Sequence, residues 1–346
     1  MTIQPEPFKH ESRLTPGSDL FRHPLMCDLA ILPTTAIEHF VNTVRTWLEL
    51  LLPGALVIGN WRIGKSHATQ FLARNLPELL GLHIPAYVLR IHDVEGKYVS
   101  RKEFFVELLR ALGYGLTQRG NASDKFHQAV DFVAERVRAN GEHRALLFVD
   151  EAQWMTTAMY RYLMAFHNEL RSKDVRLIVI LVGQPELRQV RESMVGEGKG
   201  HILGRFMTAT HEFRGVTGVE DLRKIARSLD QDSEYPPGSE WSYTYFFVPQ
   251  AFEAGWRLED HVDALWRALT DVCAENSLPE ITELPMQAIV AMFRALMLEL
   301  HDRDAPDLGL PAEAVTYAIK TIAFQQIQDH VILLASQRAT AAARPA

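Results

Sequence analysis

Hydrophobic positions recur along this chain with two different spacings, and the alternation between them sets the expected architecture. From Thr35 to Leu52 the apolar residues Ile37, Phe40, Val41, Val44, Leu48 and Leu51 fall at helical intervals, the signature of an amphipathic helix. Pro53-Gly54 ends that helix, and Ala55–Ile58 follows as a short unbroken apolar run, suited to a parallel strand buried on both faces. A helix is expected over His67–Leu80, with Gly81 just past its end as a left-handed cap. Ala86–Ile91, Ala145–Val149 and Arg176–Val182 read as further strands, interleaved with helices over Arg101–Leu112, Ser123–Ala139 and Thr157–Leu170. Strands separated by helices imply an α/β fold, a parallel sheet with helices on both faces.

After about Gly218 the pattern turns helical: Glu220–Leu229, Leu258–Glu275, Pro285–Leu300 and Pro311–Ser336. The stretch 235–256 is rich in aromatics, Pro and Gly and keeps no clean period. The expected organisation is an N-terminal arm over residues 1–34, an α/β nucleotide-binding core over 35–215, and a mostly helical lid over 216–346. The lid carries the aromatic-rich insertion at about 235–256. Packing or partner contact is the expected role of those aromatics. The ends, to about Pro24 and from Arg338, read as loose tails.

Between the first strand and its helix stands Gly59-Asn60-Trp61-Arg62-Ile63-Gly64-Lys65-Ser66, which fits G-x-x-x-x-G-K-[ST]. Such a loop curls so that main-chain N–H groups face phosphate oxygens, and Gly64 lets the backbone come close. Lys65 is expected on the β and γ phosphates of ATP and the Ser66 hydroxyl in the Mg²⁺ shell. The dipole of the following helix, which carries His67, also favours the anion. The bulky Trp61 and Arg62 are expected to point outward, because the cradle is built from backbone.

The strand Ala145–Val149 runs into Asp150-Glu151. An acid at a strand tip beside a phosphate loop is placed to hold Mg²⁺ through water, the role expected of Asp150, and the next acid, Glu151, to polarise the attacking water. The next strand ends in Gly183-Gln184-Pro185, which makes Gln184 the candidate sensor of the γ-phosphate. Arg205, in Gly204-Arg205-Phe206, is a candidate arginine finger for a neighbouring subunit, with Arg214 as runner-up.

Composition narrows the setting. Hydrophobic residues make up 47% of the 346-residue chain and charged residues 23%, enough to bury one large core or two ordinary ones. No run approaches the ~18 apolar residues of a membrane span, and MTIQPEPFKHESR opens without an apolar leader. Cys27 and Cys273 fit no metal spacing. A cytoplasmic protein without membrane contact is the expectation. The net charge of −7 excludes a globally basic surface but not a local basic groove.

The series GNWRIGKS, LLFVDEAQ, LVGQPEL and GRF, in that order, resembles the AAA+ ATPases. The extended forms VDEAQ and GQPEL look like the TnsC/TniB transposition regulators, relatives of MuB, and like ExeA-type ATPases. The resemblance covers about Thr35 to Leu229. It implies that Lys65 and Ser66 bind nucleotide and Mg²⁺, that Asp150 and Glu151 serve hydrolysis, that Gln184 is sensor 1 and that Arg205 acts in trans. It further implies a homo-oligomer, ring or helical filament, that assembles on duplex DNA with ATP. Such an assembly recruits a transposase and a target-selection protein of TniQ or TnsD type. AAA+ lids commonly carry a second sensor arginine; here Leu308–Ala312 holds none, and Arg294 is the possible substitute. The family contacts DNA after the second strand, where this chain has Lys97, Tyr98, Ser100, Arg101 and Lys102. Cations and hydroxyls of that kind track a phosphate backbone without reading bases; a solvated helix start capped by Ser100 fits the same residues. Arg119 and Lys125 form a second basic candidate. Rival readings are an ExeA-like secretion or envelope ATPase and a nucleotide switch in signalling.

Overall fold

The computed structural model describes residues 19–27, 30, 32–93, 99–115 and 119–342. These divide into two compact units. Of these described residues, one unit comprises those within Ile37–Trp61 and Lys65–Phe213; the other comprises those from 19 to 36, Arg62–Gly64 and those from 214 to 342.

The first unit is the α/β core. Its chain runs α1 (Thr35–Glu49), β1 (Gly54–Ile58), α2 (Lys65–Arg74), α3 (Leu76–Leu80), β2 (Ala86–Arg90), α4 (Arg101–Ala111) and α5 (Ala122–Ala139). It continues with β3 (Arg144–Asp150), α6 (Thr157–Ser172), β4 (Arg176–Gly183), α7 (Glu186–Gly196), α8 (Gly200–Phe206) and β5 (Thr210–Glu212). Among the described residues five strands form one sheet in the order β2-β3-β4-β1-β5, and each neighbouring pair is parallel. Every residue of β1 is buried, as are Ala145–Asp150 of β3 and Leu177–Gly183 of β4. This explains their unbroken apolar sequences: helices cover both faces, so no residue alternates toward water.

Local chemistry sets the helix ends. Ser100 caps α4: its hydroxyl accepts from the Glu103 N–H while the Glu103 carboxylate accepts from the Ser100 N–H, a reciprocal capping box. Asn121 and Asp124 make the same box at α5. The single helix expected over His67–Leu80 is two helices, broken at Asn75. Pro77 lies in the first turn of α3, where a missing N–H costs nothing, but inside a continuous helix it would orphan a carbonyl one turn back. Gly81 adopts the left-handed cap, φ 66°. Helix α7 and the short strand β5 carry no pattern that the sequence announces. β5 has three residues, all at least partly exposed, and so carries no apolar run to announce it.

The second unit is helical. It contains α9 (Val219–Arg227), α10 (Tyr243–Phe247), α11 (Pro249–Glu253), α12 (Val262–Glu275) and α13 (Met286–His301). A last helical run spans Ala312–Thr316, a wider π-type stretch Tyr317–Ala323, and Phe324–Ala342. Phe246, Phe247, Trp256 and the apolar faces of α12 and α13 make its core. The aromatic stretch thus packs inward, as expected. The N-terminal segment belongs to the same core: Leu20 and Leu25 are buried in it, and the Leu25 carbonyl accepts from Arg294 Nε at 2.8 Å. His23 is fully buried against the rings of Tyr235, Tyr243, Phe246 and Phe247, at 4.4–4.8 Å between centroids. Among the described residues, no helix is long and apolar enough to cross a membrane.

Candidate functional site

The parallel sheet directs the C-terminal ends of β1, β3 and β4 to one edge, the general location of ligand sites in such folds. β4 pairs with β1 on one side and β3 on the other. Its tip therefore falls between the phosphate loop that follows β1 and the acids that follow β3.

The loop from Gly59 to Ser66 leaves β1 and enters α2. Two of its residues take left-handed backbone, Arg62 at φ 59° and Gly64 at φ 100°. Switching between hands is what lets successive N–H groups converge on an anion. The Lys65 side chain is buried and folds over the loop, its ammonium donating to the Gly59 carbonyl at 2.8 Å and the Asn60 carbonyl at 2.6 Å. Arg62 is exposed, as expected, whereas Trp61 is half-buried and Ile63 is buried. His67, on the first turn of α2, is exposed.

Asp150 ends β3, buried, with its carboxylate hydrogen-bonded by the Ser66 hydroxyl and by the Glu151 N–H. Arg90, at the end of β2, lies 3.9 Å away. Burial raises the Asp150 pKa above the ordinary carboxylate value; the Ser66 bond opposes that shift and the Glu151 charge adds to it. A hydroxyl and a buried carboxylate sharing one point are hard oxygen ligands that a small divalent cation satisfies, with substrate phosphates and water completing its shell. Among the described residues, no group of three His, Cys, Asp or Glu side chains could hold a metal by itself.

Glu151 adopts left-handed backbone, φ 57° and ψ 38°, a conformation that costs a non-glycine residue about 1 kcal/mol or more. Its side chain does not cap the short 3-10 turn Ala152–Trp154 that follows. The carboxylate instead accepts from Gln153 Nε2 at 2.6 Å and from Gln184 Nε2 at 3.4 Å. Gln184, expected from its place at the strand tip, is thus beside Glu151. Gln153 is the final residue of the VDEAQ series, to which the sequence alone assigns no role. Its other amide atom, Oε1, accepts from the Gln184 N–H at 3.2 Å.

Arg205 lies near the end of α8, and its Nη1 donates to Asn168 Oδ1 at 2.7 Å. Neighbouring His167 is buried, and its pKa falls to about 4, chiefly through burial, with Arg205, Arg171 and Arg176 adding repulsion. Arg214 is exposed.

Of the expected DNA contacts, Lys97 and Tyr98 lie outside the described residues. Ser100 is engaged as the cap of α4. Arg101 and Lys102 are exposed, and the Arg101 guanidinium lies 4.8 Å from the centroid of the Phe126 ring. Lys125 corrects the second basic candidate: it is fully buried, with its ammonium donating to Gln128 Oε1 at 3.1 Å, and offers no face to a nucleic acid. Arg119 is exposed.

Residues 54–190 match the family model described as AAA domain. The core is a P-loop AAA+ fold. The chain is similar to the ORC2 protein of Aeropyrum pernix in its ADPNP and ADP complexes, at 15% identity and a TM-score of 0.57, over 89% of this chain and 73% of that one. It is also similar to CDC6P of Pyrobaculum aerophilum, at 15% identity and a TM-score of 0.53, over 85% and 70% of the two chains. Likeness at that identity is likeness of fold. No curated protein sequence matches the chain.

Proposed function

We propose that this AAA+ protein binds and hydrolyses ATP with Mg²⁺ and works as a regulator of transposition. In this reading it assembles as a homo-oligomer on target duplex DNA, recruits or activates a transposase, and links it to a target-selection protein. One observation carries the ATPase part: Lys65, Ser66, Asp150, Glu151 and Gln184 come from three strand ends and gather at one edge of the sheet. The adenine nucleotides in the complexes of the Aeropyrum protein, which has a similar fold, support adenine as the base. The motif series VDEAQ and GQPEL supports the transposition part.

The residues divide the work by their chemistry. Loop N–H groups and the Lys65 ammonium bind the phosphates, and the α2 N-terminus adds its dipole. Ser66 and Asp150 would hold Mg²⁺, which when bound spreads positive charge over the phosphate oxygens. Glu151 orients the attacking water and takes up its proton. Gln184 places an amide beside that acid, where a change at the γ-phosphate is felt by β4. Arg205, near the end of α8, acts in this reading as an arginine finger on a neighbouring subunit's nucleotide. Turnover is slow and regulatory in this reading, because nucleotide state governs assembly rather than flux.

Electron microscopy of the purified protein with duplex DNA, with and without a non-hydrolysable ATP analogue, tests the assembly. Regular rings or filaments that need both ligands are expected. Dispersed particles under both conditions would reject the transposition role while leaving the ATPase chemistry to be judged separately.

A further inference from the structure

The geometry points to Gln153 as a positioning residue, which we propose braces Glu151 against the tip of β4 and sets the rate of hydrolysis without contributing to nucleotide affinity. This rests on the reading of Glu151 as the residue that polarises water.

Both ends of the Gln153 amide are used, and each end suits its partner. Nε2 donates to the Glu151 carboxylate at 2.6 Å, and Oε1 accepts from the Gln184 N–H at 3.2 Å. Turning the amide over would set oxygen against carboxylate and N–H₂ against N–H, so the orientation is dictated. The backbone beneath is fixed as well: Ala152 is fully buried, and the turn is closed by the Trp154 N–H on the Glu151 carbonyl at 3.0 Å. Gly183, next to Gln184, completes the arrangement. A Cβ on it would stand 2.6 Å from Gln153 Oε1, closer than real Cβ contacts come, and 3.1 Å from Leu187 Cδ2, a tight contact. The absence of a side chain at 183 is therefore what admits the Gln153 amide to the strand tip.

A carboxylate on left-handed backbone, with one strong and one long hydrogen bond, depends on the stronger bond for its direction. A displacement of ~1 Å in a group that orients a reactant costs about 100-fold in rate. The same amide ties that carboxylate to β4, so movement of the strand tip reaches Glu151 through Gln153.

Steady-state ATP hydrolysis tests this, with kcat and KM determined separately and nucleotide Kd measured by calorimetry. Gln153→Met keeps the length and removes both hydrogen bonds. Gln153→Glu keeps the acceptor for the Gln184 N–H and sets acid against acid at Glu151. Both are expected to lower kcat about 10- to 100-fold and leave Kd within about threefold. Gly183→Ala reaches the same amide from the other side. It is expected to lower kcat in the parent and to have little further effect in a Gln153→Ala background, where the room has been vacated. A kcat within twofold of the parent in Gln153→Met overturns the inference, as does an equal effect of Gly183→Ala in both backgrounds. Glu151→Gln is run alongside. If it hydrolyses ATP at the parent rate, the reading of Glu151 itself falls; if it is inactive while Gln153→Met turns over normally, only the bracing role falls.

Discussion

Two glycine-to-alanine changes, identical in chemistry, are expected to move stability in opposite directions. A Cβ built on Gly54, the first residue of β1, would lie 2.6 Å from the Arg205 carbonyl oxygen, 2.7 Å from Phe206 Cα and 2.9 Å from the Val179 carbonyl oxygen. All three are main-chain atoms. Val179 is the register partner of Gly54 on β4, and Arg205 and Phe206 end α8, so neither can swing aside as a side chain tip would. Overpacking of this kind costs about 1–3 kcal/mol, and the upper end applies because three rigid neighbours are met at once. The stiffer unfolded chain returns about 0.4–1 kcal/mol. Gly54→Ala should therefore destabilise by about 2 kcal/mol, a fall of about 4–8 °C in melting temperature for a unit of this size. Gly204, inside α8, meets nothing within 4 Å, so Gly204→Ala should gain about 0.5–1 kcal/mol from helix propensity. Thermal unfolding followed by circular dichroism reads both. A neutral or stabilising Gly54→Ala, or two changes of the same sign, would refute the reasoning about the close approach of α8 to β1.

Glu151→Gln should retain nucleotide binding and lower hydrolysis at least 100-fold, measured as phosphate release; parent-rate turnover would reject its role. His23 supplies a pH prediction. Burial lowers its pKa from 6.5 to about 3, so the folded state holds the neutral ring. Its contribution is intact above about pH 6.5 and is lost as pH falls from there toward 3. At pH 5 the loss amounts to about 2 kcal/mol. In His23→Phe, the difference in urea stability between pH 7 and pH 5 should shrink by about that amount; an unchanged difference would show that His23 is not buried as described.

The phosphate loop and the acids of β3 were legible because their chemistry demands fixed residue types at fixed spacing, and the buried strands because burial on both faces leaves an unbroken apolar run. Gln184 was legible only by position, as a polar residue at the tip of the strand that follows the acids. The structure adds what spacing does not encode. Gln153 closes the VDEAQ series, but its partner emerges only when β4 brings the Gln184 N–H to it. Lys125 reads as a basic surface residue, yet α5 turns it inward, where its stem joins the apolar packing and Gln128 meets its ammonium. Asn75 breaks a periodic helix because the requirement of Pro77 for a first-turn position outweighs the pattern around it. The N-terminal segment offered no period that tied it to the lid; the tie is a histidine among four rings, contacts remote in sequence.

The most direct measurement of the central claim is calorimetric titration of Mg·ATP analogue into the parent protein and Lys65→Ala. Lys65 is expected to make charge-assisted bonds to the phosphates, each worth about 1.5–3 kcal/mol. The account predicts saturable binding to the parent and a loss of at least 100-fold in the variant, whose fold is unchanged by circular dichroism. Equal affinity in the two proteins would contradict it.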